Sequence, residues 1–267
     1  MNQRPTILVF DSGLGGLTVF REIAKARPDA SYMYVADDAF FPYARRSEAE
    51  LVARVVPLMR ELILNHRPDL VVIACNTAST LVLPHLRERL AVPFVGTVPA
   101  VKPACMASRS RLVSVLGTEA TVQREYTRAL IRDFSQGCDV TLVGAARLAG
   151  LAEAALRDDA IDDRAIAEEI APCFVTSNGR RTDTIVLACT HYPLLMDRLV
   201  LLAPWPVDWV DPAPAIARRV MDLTGPPAAN PASGTARAVF TSGLRPSPAL
   251  AAALARFGIG QAVVFAP

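Results

Sequence analysis

"LVVIACNTAST" at residues 70–80 and "TIVLACTHYPL" at residues 184–194 are two versions of one pattern. Each is an apolar, β-branched run that reaches Ala-Cys and then turns into small polar residues opening a helix. A continuous apolar run of this length reads as a strand buried on both faces, which is the signature of a parallel sheet covered by helices. Similar runs recur along the chain, among them "TILVF" (6–10), "SYMYVA" (31–36), "RLVSVLG" (111–117), "DVTLVG" (139–144) and "VDWV" (207–210). Helix-period segments separate most of them, such as 47–68, where Ser47 and Glu50 have capping-box spacing, and 121–134.

The repetition extends outward from the paired cysteines. "ILVFDSGLGGLTV" opens the first half and "LVSVLGTEATV" the second, each a strand entering a Gly-containing turn and a helix. Cys75 follows Asp11 by 64 residues and Cys189 follows Thr118 by 71. This predicts an α/β fold of two similar parallel-sheet domains related by pseudo-symmetry, with the active site in the cleft between them. The expected first domain spans 1–97 plus 209–267, and the second 98–208. The Pro/Gly/Ser-rich stretch 224–236 reads as a loop.

Composition narrows the function classes. A chain of 267 residues, 52% hydrophobic and only +2 in net charge, has material for a large core and no basic stripe for nucleic acid. The longest stretch without charged residues, Leu70 to Leu86, is broken by Asn76, Thr77, Ser79, Thr80 and Pro84 and makes a poor membrane span. The four-residue apolar run before Asp11 is too short for a signal-peptide core, so a cytoplasmic location is the expectation. Five widely spaced cysteines do not form a disulfide framework.

In open α/β sheets ligands bind beyond the carboxyl ends of the strands. Asp11, Cys75, Thr118 and Cys189 all fall there, surrounded by Ser12, Asn76, Thr77, Thr121, Thr190 and His191. Helix starts supply backbone N–H groups that favour carboxylates and lower a thiol pKa. Cys105, Cys138 and Cys173 lack such a setting and read as packing residues. A metal site built from Cys75, Cys189, His191 and Asp11 is the alternative, but no Cys-x-x-Cys or paired-His spacing supports it. A phosphatase-type thiolate would need an arginine in its loop, and neither "CNTASTL" nor "CTHYPLL" has one.

Two thiols facing one anion-friendly cleft suit proton removal from carbon on one face and return on the other, which inverts a stereocentre. Pyridoxal phosphate, the usual aid for an amino-acid Cα proton, requires a lysine. Only Lys25, inside a predicted helix, and Lys102 are present against 26 arginines, so no cofactor is expected.

"DSGLGGLTV", "FPYARRS", "ACNTAST", "VGTVPAVKPA", "LGTEATV" and "LACTHYPLL" together resemble the glutamate racemases of the cofactor-independent aspartate/glutamate racemase superfamily, in order from residue 7 to about 221. The resemblance implies interconversion of L- and D-glutamate for peptidoglycan synthesis, with Cys75 serving the D-enantiomer's proton and Cys189 the L-enantiomer's. It implies that Asp11 and His191 assist the first and second thiol, that Glu153 is a further assisting glutamate, and that Ser12, Pro42, Tyr43, Ala44, Asn76, Thr77, Thr118, Thr121 and Thr190 contact substrate. It also implies a homodimer, no membrane or nucleic-acid partner, and, in some members, inhibition of DNA gyrase, for which no surface is marked here. Two departures stand out: Pro42-Tyr43-Ala44 replaces the usual Pro-Tyr-Gly, and Ala36-Asp37-Asp38 replaces Gly-Asp-Thr. A sister enzyme such as an aspartate racemase and a non-catalytic role are the competing readings. "CNTAST" and "CTHYPLL" weigh against the sister enzyme.

Overall fold

The computed structural model describes residues 4–227 and 233–264. The chain begins with β1 (Thr6–Asp11), α1 (Leu17–Ala26), β2 (Ser31–Ala36), α2 (Glu48–His66), β3 (Leu70–Ile73), α3 (Asn76–Leu81), α4 (Leu83–Arg89) and β4 (Phe94–Gly96). Next come α5 (Val101–Ala107), β5 (Leu112–Gly117), α6 (Glu119–Gln123), α7 (Glu125–Phe134), β6 (Asp139–Gly144), α8 (Leu148–Leu156) and α9 (Asp163–Ile170). A short hairpin, β7 (Thr176–Ser177) and β8 (Arg180–Arg181), leads to β9 (Thr184–Ala188), α10 (Met196–Leu202) and β10 (Asp208–Val210). The chain closes with α11 (Ala213–Thr224), β11 (Ala236–Phe240), α12 (Pro248–Arg256) and β12 (Gln261–Val264).

These elements form two units, Met1–Thr97 with Ala213–Pro267, and Val98–Pro212. The first holds a parallel six-stranded sheet ordered β12-β11-β2-β1-β3-β4. The second holds a parallel four-stranded sheet ordered β10-β9-β5-β6. Helices cover both faces of the strands, which is why Ile7, Leu8, Val9 and Phe10 of β1 and Ile185, Val186 and Leu187 of β9 are all fully buried. Both sheets place an early strand beside the strand that leads into a cysteine. Phe10 pairs with Ile73 in the first and Gly117 with Ala188 in the second. Asp11 and Cys75 therefore leave neighbouring strand ends, and so do Thr118 and Cys189.

Local detail departs from the sequence reading in two places. The helix expected over 121–134 is two helices, because Arg124 is extended (φ −75°, ψ 141°). The Thr118 side chain caps α6, and the Thr127 hydroxyl takes the Thr121 carbonyl at 2.6 Å, which would otherwise continue the helix. The second unit runs to Pro212 rather than 208, because β10 pairs with β9 through Asp208 and Thr184. The expected loop at 224–236 lies partly outside the described residues. The capping box at Ser47 and Glu50 is present.

Two polar anchors hold the frames. Arg27, 2% exposed, pairs with Asp29 and donates to the carbonyls of Thr224 and Gly225 at 2.8 and 2.7 Å, fastening the end of α11 beside α1. Asp183, just before β9, accepts from the Ser108 hydroxyl (2.6 Å) and the Arg109 and Ser110 N–H groups (2.8 and 2.7 Å). It thereby ties the α5–β5 connection to the strand that carries Cys189.

Candidate active site

In the first unit the thiol stands at the end of a three-member relay. Cys75 follows β3 as the N-cap of α3, and its Sγ lies 3.7 Å from Ser12 Oγ. Ser12 Oγ donates to Asp11 Oδ1 at 3.1 Å, and Gly13 N–H donates to the same oxygen at 3.3 Å. Asp11 is fully buried at the end of β1, held close to Cys75 by the β1–β3 pairing. Asn76 and Thr77 are buried in the first turn of α3, and neither polar atom of the Asn76 amide has a hydrogen-bond partner among the described residues.

Pro42, after a cis peptide bond, leads into a 3₁₀ turn over Tyr43–Arg45 that carries Ala44. The Tyr43 hydroxyl donates to Asp37 Oδ2 at 2.6 Å, and Asp37 Oδ1 accepts from Arg54 and from Thr241, each at 2.6 Å. Burial, with the Asp37 charge beside it, keeps the Tyr43 phenol neutral, well above its usual range. Asp38, one of the departures from the family pattern, accepts from the Ser242 N–H and hydroxyl at 2.8 and 2.6 Å. The segment after β11 is thus latched onto the loop that presents Tyr43.

In the second unit the thiol meets an imidazole. Cys189 Sγ lies 3.7 Å from His191 Nδ1, and His191 Nε2 lies 3.0 Å from Glu153 Oε1. Arg157, the C-cap of α8, donates to Glu153 Oε2 at 2.7 Å. Cys189, Thr190, His191 and Glu153 are all less than a tenth exposed. Thr118 caps α6, its Oγ1 lying 2.8 Å from that of Thr121 and accepting from the Thr121 N–H at 3.2 Å. Tyr192, packed in the same core as Cys189, is kept neutral by burial and by that neighbouring thiol.

The sequence-derived residues therefore gather into two groups. Asp11, Ser12, Cys75, Asn76, Thr77, Pro42, Tyr43 and Ala44 belong to the first unit, and Thr118, Thr121, Glu153, Cys189, Thr190 and His191 to the second. The sequence reading gave no role to Asp37, Arg54 or Arg157. Only Arg157 left a local signal, its spacing of four from Glu153 on a helix. Each thiol has a polar neighbour through which a proton can be exchanged, hydroxyl and carboxylate for one, imidazole and carboxylate for the other. The other cysteines differ: burial pushes the Cys105 and Cys173 thiols up to about 12, which leaves them inert at neutral pH. Among the described residues no group of His, Cys, Asp and Glu is arranged to hold a metal ion. No helix among them is long and apolar enough to cross a membrane.

Over residues 11–220 the chain matches the family described as Asp/Glu/Hydantoin racemase. It is 56% identical over 222 residues to the glutamate racemase of Brucella canis, covering 83% of this chain and 80% of that one. To the glutamate racemase of Mesorhizobium japonicum it is 55% identical over 245 residues, covering 91% and 93%. Escherichia coli glutamate racemase, solved with L-glutamate and the activator UDP-MurNAc-ala, has the same fold with a TM-score of 0.88, at 38% identity over 98% of each chain. A glutamate racemase isoform of Bacillus anthracis gives 0.79 at 25% identity, covering all of this chain and 98% of that one. The chain belongs to the Asp/Glu/Hydantoin racemase family, among its glutamate racemases.

Proposed function

We propose that this protein interconverts L- and D-glutamate by a two-thiol mechanism that uses neither metal nor organic cofactor. The observation that carries this reading is the matched pair of half-sites. Each unit presents a cysteine at the carboxyl end of a central parallel strand, and each cysteine has its own proton-exchanging neighbours. The Cys189 thiolate takes the Cα proton of L-glutamate, the electron pair is delocalised into the α-carboxylate, and the Cys75 thiol delivers its proton to the opposite face. D-glutamate leaves, and the two thiols have exchanged protonation states. The reverse reaction starts from that second form.

Several features support the reading. An unperturbed thiol has a pKa near 8.5, so only a few per cent is thiolate at neutral pH. A neighbour that accepts or returns the proton is therefore needed at each thiol, and Ser12 with Asp11 and His191 with Glu153 are placed for it. The Asn76 amide, unpartnered among the described residues, and the hydroxyls of Thr77, Thr118, Thr121 and Thr190 offer donors for two carboxylates. A Schiff-base route is disfavoured in this reading, since Lys25 lies on Glu22 along α1 and Lys102 is exposed. D-glutamate made this way would feed peptidoglycan synthesis, in keeping with the likeness to an E. coli enzyme whose activator is UDP-MurNAc-ala.

Circular dichroism of L-glutamate tests the mechanism. Cys75→Ser, Cys189→Ser and the double variant should all racemise at similar near-background rates, since losses from groups acting as one unit do not add. In heavy water, inverted product should carry deuterium at Cα while unreacted substrate initially keeps hydrogen. Substantial activity in either single variant, or inverted product that retains its hydrogen, overturns the two-thiol reading. Equal kcat/KM for aspartate would move the assignment to a sister enzyme.

A further inference from the structure

Cys189 is the inner end of a hydrogen-bonded chain that reaches the surface. From thiol to imidazole is 3.7 Å, from imidazole to the Glu153 carboxylate 3.0 Å, and from that carboxylate to the Arg157 guanidinium 2.7 Å. The first three members are buried, whereas the Arg157 side chain is 41% exposed. Glu153 on α8 and Arg157 at its C-cap stand at i and i+4, in the favourable order with the acid nearer the N-terminus.

His191 can exchange a proton with Cys189 only if it passes readily between its neutral and charged forms. A buried carboxylate 3.0 Å away, carrying its charge undivided, would hold the imidazolium and stop that passage. We propose that Arg157 is a positioning residue for this reaction: by sharing the Glu153 charge, it leaves His191 free to lose and regain its proton beside Cys189. The two carboxylate oxygens divide the work. Oε1 orients the ring so that Nδ1 faces the thiol, and Oε2 delivers charge to the arginine.

Other ionisable groups packed around the relay are already committed elsewhere. Glu169 of α9 is paired with Arg147 at 2.9 Å, and Glu168 lies on Arg147 and Arg164 at 3.1 and 3.0 Å. Arg198 of α10 is paired with Asp163, and Asp197 is exposed. Cys173 and Tyr192, the remaining titratable side chains of this core, stay neutral through burial. Arg157 itself donates to the Glu153 carboxylate at 2.7 Å.

The inference rests on the reading that Cys189 exchanges the substrate proton, and a titration independent of turnover separates the two. The chain has only three histidines, His66, His85 and His191, so ring-proton NMR of the full protein, with His191→Gln for assignment, reports His191 directly. Arg157→Gln should raise the pH at which His191 loses its proton by about 0.5–1 unit, a charge effect discounted for the exposure of the arginine. Arg157→Lys should restore most of the difference. The acid limb of kcat/KM should move upward by the same amount in both directions, because enantiomers of equal free energy tie the two values together. Near neutral pH and below, this reads as about a 3–10-fold loss, recovered on raising the pH. An arginine that served only to hold α8 would lower kcat/KM at every pH with the midpoint unmoved. A His191 midpoint unchanged in folded Arg157→Gln protein, or a His191 that titrates in neither protein between about pH 5 and 9, overturns the proposal. Wild-type protein that fails to invert glutamate sinks the racemase reading instead, and leaves the titration to judge this one.

Discussion

Gly16→Ala is the most discriminating single substitution in the first half-site. Gly16 has φ −60° and ψ −11°, a backbone conformation that alanine adopts without strain. By conformation alone, alanine should stabilise the protein by about 0.4–1 kcal/mol through the unfolded chain. Space reverses the sign. A Cβ at this position would stand 2.7 Å from Asp11 Oδ2, 2.8 Å from Asp11 Cβ and 3.1 Å from Ala74 Cβ. Carbon contacts settle at about 3.5–4.0 Å, so the site must open by roughly 0.7–1 Å. Asp11 is fully buried and held by Ser12 and Gly13, while Ala74 leads directly into Cys75. Overpacking of this kind costs about 1–3 kcal/mol, and loosening hydrogen bonds to a buried carboxylate adds to it. The net expectation is a loss of about 1–4 kcal/mol in urea unfolding. Displacing Asp11 and Ser12 from the thiol by close to 1 Å should also lower kcat/KM for glutamate about 100-fold. Combining Gly16→Ala with Asp11→Gly removes the two closest contacts and should return most of the stability but none of the activity. A Gly16→Ala protein at least as stable as wild type, with kcat/KM within about twofold, refutes the reasoning.

Two further expectations concern the frames behind the thiols. Burial alone would raise the Asp183 carboxyl, yet hydrogen bonds from the Ser108 and Thr184 hydroxyls and the Ser110 and Arg109 N–H groups hold it down to about 2 from an ordinary 3.8. A depressed carboxylate pKa contributes stability that is present above about pH 4 and drains away as pH falls toward about 2. Its full value is about 2 kcal/mol, and partial exposure reduces this to about 1. Asp183→Asn should remove that component, and denaturation midpoints falling in parallel for both proteins between pH 6 and pH 3 would contradict it. Arg27→Ala strands the buried Asp29 carboxylate and the carbonyls of Thr224 and Gly225, and should cost about 3–5 kcal/mol. Lysine cannot reproduce the fork and should restore little. A loss below about 1 kcal/mol would show that the return of α11 does not depend on this arginine.

What the sequence by itself determined is the part governed by neighbours along the chain. Short β-branched apolar runs such as "LVVIA" and "TIVLA" read as strands buried on both faces, which points to parallel sheets and places Cys75 and Cys189 at strand ends. The capping box at Ser47 and Glu50, and the proximity of Ser12 to Asp11, follow from spacings of three residues and one. Tertiary structure decided the partners that are distant in sequence. Glu153 reaches His191 across 38 residues, Arg54 reaches Asp37 across 17, and Asp38 meets Ser242 across 204. No periodicity encodes such pairs, because a hydrogen bond is set by where α8, α2 and β11 pack and not by the pattern that makes them helix or strand. The break at Arg124 shows the same limit at short range. The apolar period runs on through 121–134, but the Thr127 hydroxyl satisfies the Thr121 carbonyl locally, and the backbone turns where the pattern alone would have continued the helix.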